Sequence, residues 1–527
     1  MSSDELTKIA QKAARGGLFL LIGYASSTVI LAVGVIIVAR LLGPSSYGLY
    51  TLTIVIPTLL VALSDAGMNF ALVRLPAKLI AEGNYARANR LTKLGFLTKL
   101  LISAVSFIIC YLGSTLIANT VFGRPELSPF LRIASLVIVF QALVDATMNS
   151  FIGEDLMQYS ASIQIMQSIL KGTLGPALVL VGFGIAGALS GYVLSLAAAG
   201  LAGAAILFAR HARSSRQRND SVSKDLRALL GYGLPLYLAT ILSVFLNQYQ
   251  NIVLAHFASN VEIGNFGATW NFNSFMMILI YPVTTAIFPM FSKMDSNSQR
   301  SELVRGFVLA VKYTSLLMIP ASVAVMVFSR ELIYMTYGSG YTLAPQYLVL
   351  LSAVYLLTAI SYLVLGSFLN GVADTGTVVR MSGLTLALYL PLGPVLALLW
   401  GPFGLLIAYF FSIATSTVYG VRHTSVKFDA HLDLRAGGRI LLAALTAAVP
   451  TLALIQLDGA GVGVVNLVVG GLLYLGVYLT LAPILGAVEK QDILNLGTLI
   501  GGTRIFAVLV NPVLDYELKL LSAVKRK

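Results

Sequence analysis

The chain is poor in the residues that serve soluble domains and redox or metal chemistry. Only 11% of its 527 residues are charged, whereas soluble domains carry about 25%. A single cysteine, Cys110, excludes a disulfide or a multi-thiolate metal site within the chain. The sequence has no Walker A motif, no His/Cys cluster with metal-ligand spacing and no carboxylate pair set for glycosidic chemistry. We therefore expect neither a self-contained ATPase nor a metalloprotein or glycosidase.

Apolar sequence, by contrast, is abundant. Hydrophobic residues make up 57% of the chain, and a membrane-spanning helix needs ~20 of them in a row. Runs of that length predict an all-α, polytopic membrane protein with about fourteen transmembrane helices. The predicted spans are 17–39, 47–73, 94–118, 130–151, 161–181, 185–209, 232–257, 266–291, 307–328, 347–369, 379–400, 403–421, 440–457 and 462–485.

The distribution of lysine and arginine supports this topology. If the N-terminus is cytoplasmic, cytoplasmic segments hold 30 of the 35 basic residues, including all those in 74–99. That bias is typical of a polytopic protein of the cell (cytoplasmic) membrane with both termini inside. The net charge of +13 is then explained by topology, and we expect no nucleic-acid partner. No small-residue cleavage site follows the first apolar run, so we expect it to be retained as a span.

An internal repeat organises the spans. Residues 39–50 align without a gap on residues 255–266, and Pro129 falls on Pro345 at the same offset. Each unit holds six spans, and an even number gives both units the same orientation in the membrane. We therefore expect two pseudo-symmetric six-helix lobes around a central cleft, followed by two C-terminal helices. The predicted ranges are 1–210 (N-lobe), 211–227 (cytoplasmic basic linker), 228–425 (C-lobe), 426–487 (helices 13 and 14) and 488–527 (cytoplasmic amphipathic basic tail).

The tail has one apolar stripe and a basic end. Leu514, Leu518 and Leu521 are spaced i, i+4, i+7, and the chain closes on the basic run 525–527. This pattern favours an interfacial segment that binds anionic lipid headgroups. Binding of a partner protein by the tail is the alternative.

A local motif connects the chain with a known family. Residues 40–50 read Arg-Leu-Leu-Gly-Pro-x-x-Tyr-Gly-Leu-Tyr and are followed by Asp65-x-Gly67 and Arg74. This pattern resembles the start of the polysaccharide (Wzx-type) flippases of the MOP/MATE-like exporter superfamily. The resemblance covers spans one to twelve. It implies a two-lobe transporter whose substrate is a lipid-linked oligosaccharide, with glycan-assembly proteins as further candidate partners.

The fifth span carries the strongest candidate binding residue. Gln164, Gln167, Ser168 and Lys171 are spaced so that they share one helical face. A polar stripe on an apolar span is typical of a water-filled cleft, and a buried ammonium is a natural counter-charge for a diphosphate. The alternative is a hydrogen-bonded seam between helices.

The seventh span has a strongly polar turn formed by Asn247, Gln248 and Asn251, with His256 further along. Amides both donate and accept hydrogen bonds, as recognition of sugar hydroxyls requires. Polar seam packing is the alternative for the amides. For His256 the alternative is a structural hydrogen bond.

Three charged residues lie in or next to the second span. Arg40 and Arg74 bracket it and are candidates for phosphate or sugar contacts, unless they merely snorkel to the headgroups. Asp65 lies inside the span, where an ionisable group is costly and therefore a functional-site hypothesis. We expect it either to couple a proton or a sodium ion, or to pair with Arg74 as a packing residue. No other cofactor is expected.

These features predict a flippase, not an enzyme. It would move a polyprenyl-(di)phosphate-linked oligosaccharide from the inner to the outer leaflet by alternating access around a cationic cleft. A MATE-like drug or cation antiporter is the alternative, but it would need acids in its cleft, and spans one and seven carry none. A membrane glycosyltransferase or ligase is a weaker alternative, because no external loop is large enough for a catalytic site.

Overall fold

The computed structural model describes residues 3–211, 222–293, 300–457, 463–500, 512 and 514–522. Within these ranges the chain forms helices and no strand, which confirms the all-α fold. Eight of the helical segments in the described part are long and apolar enough to cross a membrane. A ninth is added if the bent pair Ala344–Ile360 and Tyr362–Gly371 counts as one span. The chain is therefore a multi-pass membrane protein.

The contacts divide the chain into two compact units, Met1–Gly267 and Ala268–Lys527. The helices of the first unit are α1 (Ser3–Asp65), α2 (Met68–Ala81), α3 (Tyr85–Leu112), α4 (Ser128–Gly153), α5 (Met157–Leu178), α6 (Gly184–His211), α7 (Val222–Phe257) and the start of α8 (Asn260–Lys293). The second unit continues with α9 (Arg300–Val327), α10 (Ser329–Thr336), α11 (Ala344–Leu356), α12 (Tyr362–Gly371), α13 (Thr375–Phe428), α14 (Leu434–Leu457), α15 (Val464–Ile484) and α16 (Lys490–Ile500).

The longest helical segments are interrupted by backbone breaks. The α1 helix breaks at Gly43, the α5–α6 segment at Gly182 and Gly184, and α13 at Trp400 and Gly401. A straight helix of 54 residues, the length of α13, would measure ~80 Å, far more than the ~30 Å of a hydrocarbon core. The breaks therefore turn each segment into a helical hairpin. The total of fourteen spans stays a prediction.

Within the first unit, the two copies of the repeated turn contact each other. A Cβ atom added to Gly48 would lie 2.0 Å from the carbonyl oxygen of Asn260, and one added to Gly264 would lie 1.9 Å from that of Pro44. The sequence repeat places Pro44 on Asn260 and Gly48 on Gly264, so the contact is reciprocal. Only glycine permits this backbone approach. Arg124 fixes the same turn by donating hydrogen bonds to the carbonyl oxygens of Ala255 and Ala258 and to the Asn260 side chain.

The division between the units does not coincide with the basic linker. It falls inside α8, between Gly267 and Ala268, because α7 packs on α1, α2 and α3. Asp225, at the start of α7, is buried and forms ion pairs with Arg87 and Arg90 of α3. The linker residues 212–221 lie outside the described part of the chain, and the lobe ranges 1–210 and 228–425 stay a prediction.

The described part of the tail packs against protein, unlike the interfacial segment expected from its pattern. Leu514 is buried, and Leu518 and Leu521 pack against the same core cluster, which is built from α9, α14 and α15. Glu517 is only 5% exposed, and this burial raises its pKa to about 7. The leucine stripe is thus occupied by the chain's own helices. The basic run 525–527 lies outside the described residues.

Candidate functional site

The first unit contains a small recess at the side chain of Lys171, and its walls include Tyr47 and Tyr50 from α1. The Lys171 Nζ atom lies 3.5 Å from the centroid of the Tyr192 ring on α6. A cation over an aromatic face is attracted by the negative face of the ring. The ring therefore holds the half-buried ammonium at the recess without neutralising its charge.

Close helix packing positions this lysine. A Cβ atom added to Gly34 of α1 would lie 2.5 Å from the Cα atom of Gly172, the residue after Lys171. Small residues allow such backbone contact between membrane helices. The approach of α1 and α5 thus sets the lysine directly beside the tyrosine-bearing wall.

The polar face of α5 is only partly used at this recess. The lining from α5 consists of Lys171, Gly172 and Gly175. Ser168 is fully buried, and its hydroxyl donates a 2.8 Å hydrogen bond to the carbonyl oxygen of Gln164 in the same helix. Gln164 and Gln167 are half-buried, and neither belongs to the recess lining. Of the predicted stripe, Lys171 alone lines the recess.

The amides of α7 form a separate group. Gln248 and Asn251 are half-buried, with the Asn251 Nδ2 atom 3.4 Å from the Gln248 Oε1 atom. Asn247 and His256 are exposed, and the His256 ring packs against Phe257. None of these residues belongs to the Lys171 recess lining. Their role in sugar binding stays a prediction.

The two candidate arginines lie on the surface of the described chain. The side chains of Arg40 and Arg74 are exposed, and the lining of the recess includes neither. An exposed arginine at a span end is compatible with snorkelling as well as with a headgroup contact. Their contact with a substrate also stays a prediction.

The Asp65 carboxylate pairs with Lys99 and not with Arg74. The α1 helix ends at Asp65, Ala66 and Gly67 have φ angles of 45° and 79°, and α2 begins at Met68. The Lys99 Nζ atom, from α3, lies 2.8 Å from the Asp65 Oδ1 atom, and Lys99 is only 1% exposed. The second span is thus discontinuous, and its break presents a carboxylate to a buried ammonium.

Further polar groups surround the same ammonium. Lys99 Nζ also lies 2.5 Å from Asn69 Oδ1 and 3.6 Å from Asp145 Oδ2. The Asp145 Oδ1 atom accepts a hydrogen bond from Gln141, and Asn69 Oδ1 accepts one from Asn149. We call this group of six residues the Lys99 cluster: Asp65, Asn69, Lys99, Gln141, Asp145 and Asn149.

Sequence reasoning missed most of the Lys99 cluster. It identified Asp65 but counted Lys99 among the cytoplasmic charges and did not select Asp145 as a site residue. The available signal was the rule already applied to Asp65, that an ionisable residue within an apolar run marks a functional site. Applied to α3 and α4, it would have found both residues.

Together, this fold and these buried charges define the chain as a polytopic helical membrane protein. A sequence model of the family described as "Polysaccharide biosynthesis protein" matches residues 13–295, more than half of the chain. The chain belongs to this family. The resemblance expected from the motif at residues 40–74 is thereby confirmed.

The chain is also similar to individual proteins of known sequence or structure. The "Probable low-salt glycan biosynthesis flippase Agl15" of Haloferax volcanii is 23% identical over 404 residues, which cover 75% of this chain and 81% of that protein. The solved structure of the lipid II flippase MurJ in an inward closed conformation superposes with a TM-score of 0.72 at 16% identity, over 89% of this chain and 98% of that one. An inward-facing multidrug resistance MATE family transporter of the MOP superfamily gives 0.59 at 15% identity, over 78% and 98% of the two chains. At these identities the structural likeness shows the fold.

Proposed function

We propose that this protein is a flippase that transfers an oligosaccharide carried on a polyprenyl phosphate or diphosphate across the cell membrane, from the inner to the outer leaflet. The family assignment and a relative named as a glycan biosynthesis flippase support the substrate class. The fold likeness to a lipid II flippase supports the type of movement. Both termini lie on the cytoplasmic side in this proposal.

The Lys171 recess is the observation that carries the proposal. Among the residues that line it, Lys171 is the charged one and no acid is present. A phosphate prefers charge-assisted donors, and at bilayer depth an ammonium without a carboxylate partner favours an anion. The tyrosine walls offer aromatic faces and hydroxyl groups, a combination suited to the first sugar. The lipid tail would remain in the bilayer while the head occupies the recess.

The charge distribution disfavours the MATE-like antiporter. An exporter of cationic drugs needs an available carboxylate in its binding cleft. The recess lining has no acid, and the two acids of the Lys99 cluster, Asp65 and Asp145, lie 2.8 and 3.6 Å from the Lys99 ammonium. The positive recess therefore favours an anionic substrate. Because flipping forms and breaks no covalent bond, the proposed activity is transport and not catalysis.

Reconstitution in liposomes tests the proposal. The assay would compare translocation of a short polyprenyl-diphosphate oligosaccharide with that of a cationic dye. We expect transport of the glycolipid and not of the dye. Lys171→Glu should abolish glycolipid transport while the protein remains inserted, because it reverses the charge at the recess. The matched control is Lys78→Glu at an exposed lysine of α2. Dye transport alone, or full glycolipid transport by Lys171→Glu, would contradict the proposal.

A further inference from the structure

The recess wall is part of the contact between the two repeated turns. Tyr47 and Tyr50 line the recess, and Gly48, between them, packs on the second copy of the turn, which we call the α7–α8 turn (residues 255–264). The start of α8 contacts the same wall, because a Cβ atom added to Gly267 would lie only 3.3 Å from the Tyr47 Cε1 atom. The recess wall therefore packs directly against the α7–α8 turn and the helix that follows it.

Arg124, in the loop between α3 and α4, binds the α7–α8 turn. Its Nη2 atom lies 3.1 Å from the carbonyl oxygen of Ala255 and 2.5 Å from that of Ala258, and its Nη1 atom donates a hydrogen bond to the Asn260 side chain. Carbonyl oxygens at the C-terminal end of a helix lack intrahelical donors and favour a cation. One guanidinium thus ties the loop to the end of α7 and to the turn that packs on the recess wall.

The local sequence makes these oxygens available to the arginine. A continuing helix would use the Ser259 amide as the donor to the Ala255 carbonyl oxygen. In the structure this amide lies 2.8 Å from the Glu262 Oε2 atom instead, in a capping box that starts α8. The guanidinium presents its donors in a fixed fork and can bind several oxygens at once, whereas an ammonium is a single point charge.

A second charged contact holds the other end of α7. Asp225 is buried and pairs with Arg87 and Arg90 of α3. It lies thirty residues before Ala255, or ~45 Å along the helix, which exceeds the ~30 Å of a hydrocarbon core. The two contacts are therefore at opposite membrane faces. In the proposed orientation Arg124 is at the external face and Asp225 at the cytoplasmic face.

We propose that Arg124 is a latch that keeps the recess closed toward the external face, and that its release from the α7–α8 turn opens the recess there. This inference rests on the proposed function for the orientation of the chain and for the use of the recess as the transport site. Once the guanidinium leaves the carbonyl oxygens, the turn moves away from Gly48 and Tyr47 and uncovers the wall. Asp225 meanwhile holds the other end of α7, so the opposite face stays closed. Arg124 is thus a positioning residue, which acts on the recess through the turn.

The rate at which Thr51→Cys is labelled tests the inference. Thr51 is half-buried, one helical turn after Tyr47, and a Cβ atom on Gly267 would lie 3.2 Å from its Oγ1 atom. The new thiol therefore lies beneath the start of α8 and reacts when that cover moves away. The full-length protein would be placed in nanodiscs without substrate and treated with a bulky maleimide–polyethylene glycol. The native Cys110 is fully buried and escapes the reagent.

Four variants of this Thr51→Cys parent are compared. Arg124→Gln should be labelled about tenfold faster or more, because hydrogen bonds to a charged group are lost. Arg124→Lys keeps a cation without the fork and should give an intermediate rate. Arg330→Gln, at an exposed arginine of the second unit, is the matched control and should react as slowly as the parent. Asp225→Asn loosens the other end of α7 and should also leave the thiol protected.

Hydrogen exchange repeats the test without a cysteine. In the otherwise unchanged protein, Arg124→Gln should increase exchange in residues 44–51, which carry the recess wall. Arg330→Gln should leave exchange in this segment as it is in wild type.

Two results would overturn the inference. Equal labelling rates and equal exchange in Arg124→Gln and Arg330→Gln would show that the turn stays in place without the arginine. A similar increase in Asp225→Asn would show that any loosening of α7 exposes the recess, and not a latch at one face. Because no substrate is present, either result leaves the flippase proposal intact. Conversely, the expected labelling pattern in a protein that fails the glycolipid assay would refute the substrate and retain the latch.

Discussion

Gly48 and Gly264 occupy equivalent positions in the internal repeat and pack against each other. A Cβ atom on Gly48 would lie 3.0 Å from the Gly264 nitrogen, and one on Gly264 would lie 3.1 Å from the Gly48 nitrogen. A motif found by aligning the sequence with itself is therefore also a contact within the first unit. The repeat explains why glycine occupies both positions, because each copy of the turn must accept the backbone of the other.

Substitution of Gly48 by alanine should destabilise this contact. The added methyl group would meet the Asn260 carbonyl oxygen at 2.0 Å, and overpacking of this kind costs about 1–3 kcal/mol. We expect a lower thermal unfolding midpoint in detergent for Gly48→Ala. The control is Gly438→Ala in α14, where no heavy atom lies within 4 Å of the added Cβ. Equal midpoints for the two variants would show that the contact between the two turns does not contribute to stability.

The ring beneath Lys171 gives a second prediction. Tyr192→Phe keeps the aromatic face and should bind farnesyl diphosphate almost as wild type does. Tyr192→Leu removes the face and with it about 0.5–2 kcal/mol of cation–π stabilisation, so the ammonium is no longer held at the recess. We expect up to about tenfold weaker binding for Tyr192→Leu. Titration calorimetry on both variants would check this, and similar affinities for Phe and Leu would exclude a positioning role of the ring.

Sequence patterns predicted the fold class and the position of Lys171 on a polar helical face, and both predictions have a simple physical reason. Apolar length identifies spans, since the bilayer thickness is fixed. Helical spacing identifies a polar stripe, and Lys171 was on that stripe. Neither pattern shows which residues of the stripe face a cavity. The Ser168 hydroxyl, for example, donates a hydrogen bond to a carbonyl oxygen of its own helix instead.

Lys99 was counted with the cytoplasmic charges although it is the sixth residue of the predicted span 94–118, because the boundary between loop and span is weakly encoded. The turn before α3 is short, with the Asn84 side chain accepting a hydrogen bond from the Arg87 amide. The helix thus begins at Tyr85, nine residues before the predicted span at 94–118, and Lys99 falls in its interior. Its pairing with Asp65 then depends on how α1 and α3 pack, which no local pattern shows.

The ion pairs of Asp225 should anchor the start of α7. This carboxylate is only 1% exposed, and its Oδ2 atom lies 2.5 Å from the Nη2 atom of Arg90. Asp225→Asn removes a charge-assisted acceptor from two arginines, a loss of about 1–3 kcal/mol. We expect faster hydrogen exchange in the first turns of α7. Asp429→Asn, at an exposed acid, should leave exchange there unchanged. If the first turns of α7 are as well protected from hydrogen exchange in Asp225→Asn as in wild type, apolar contacts anchor the start of α7 and the ion pairs do not.

Docking of the tail should depend on pH through Glu517. Its pKa is raised to about 7 by burial in the docked tail, against 4.5 for a free glutamate. The docked tail therefore retains a proton that a released tail would lose. Docking is strongest below about pH 4.5, weakens by up to about tenfold per unit as the pH rises to 7, and then levels off.

A fluorophore on Ser522→Cys would report this docking, because the native Cys110 is fully buried and escapes labelling. Anisotropy should fall between pH 4.5 and 7 as the tail is released. Glu517→Gln, which is neutral at every pH, should keep the tail docked throughout, since its amide loses no proton. Asp515→Asn changes an exposed acid two residues away and should retain the wild-type dependence. A pH-dependent release that persists in Glu517→Gln would place the sensing group elsewhere in the tail or in the helices beneath it.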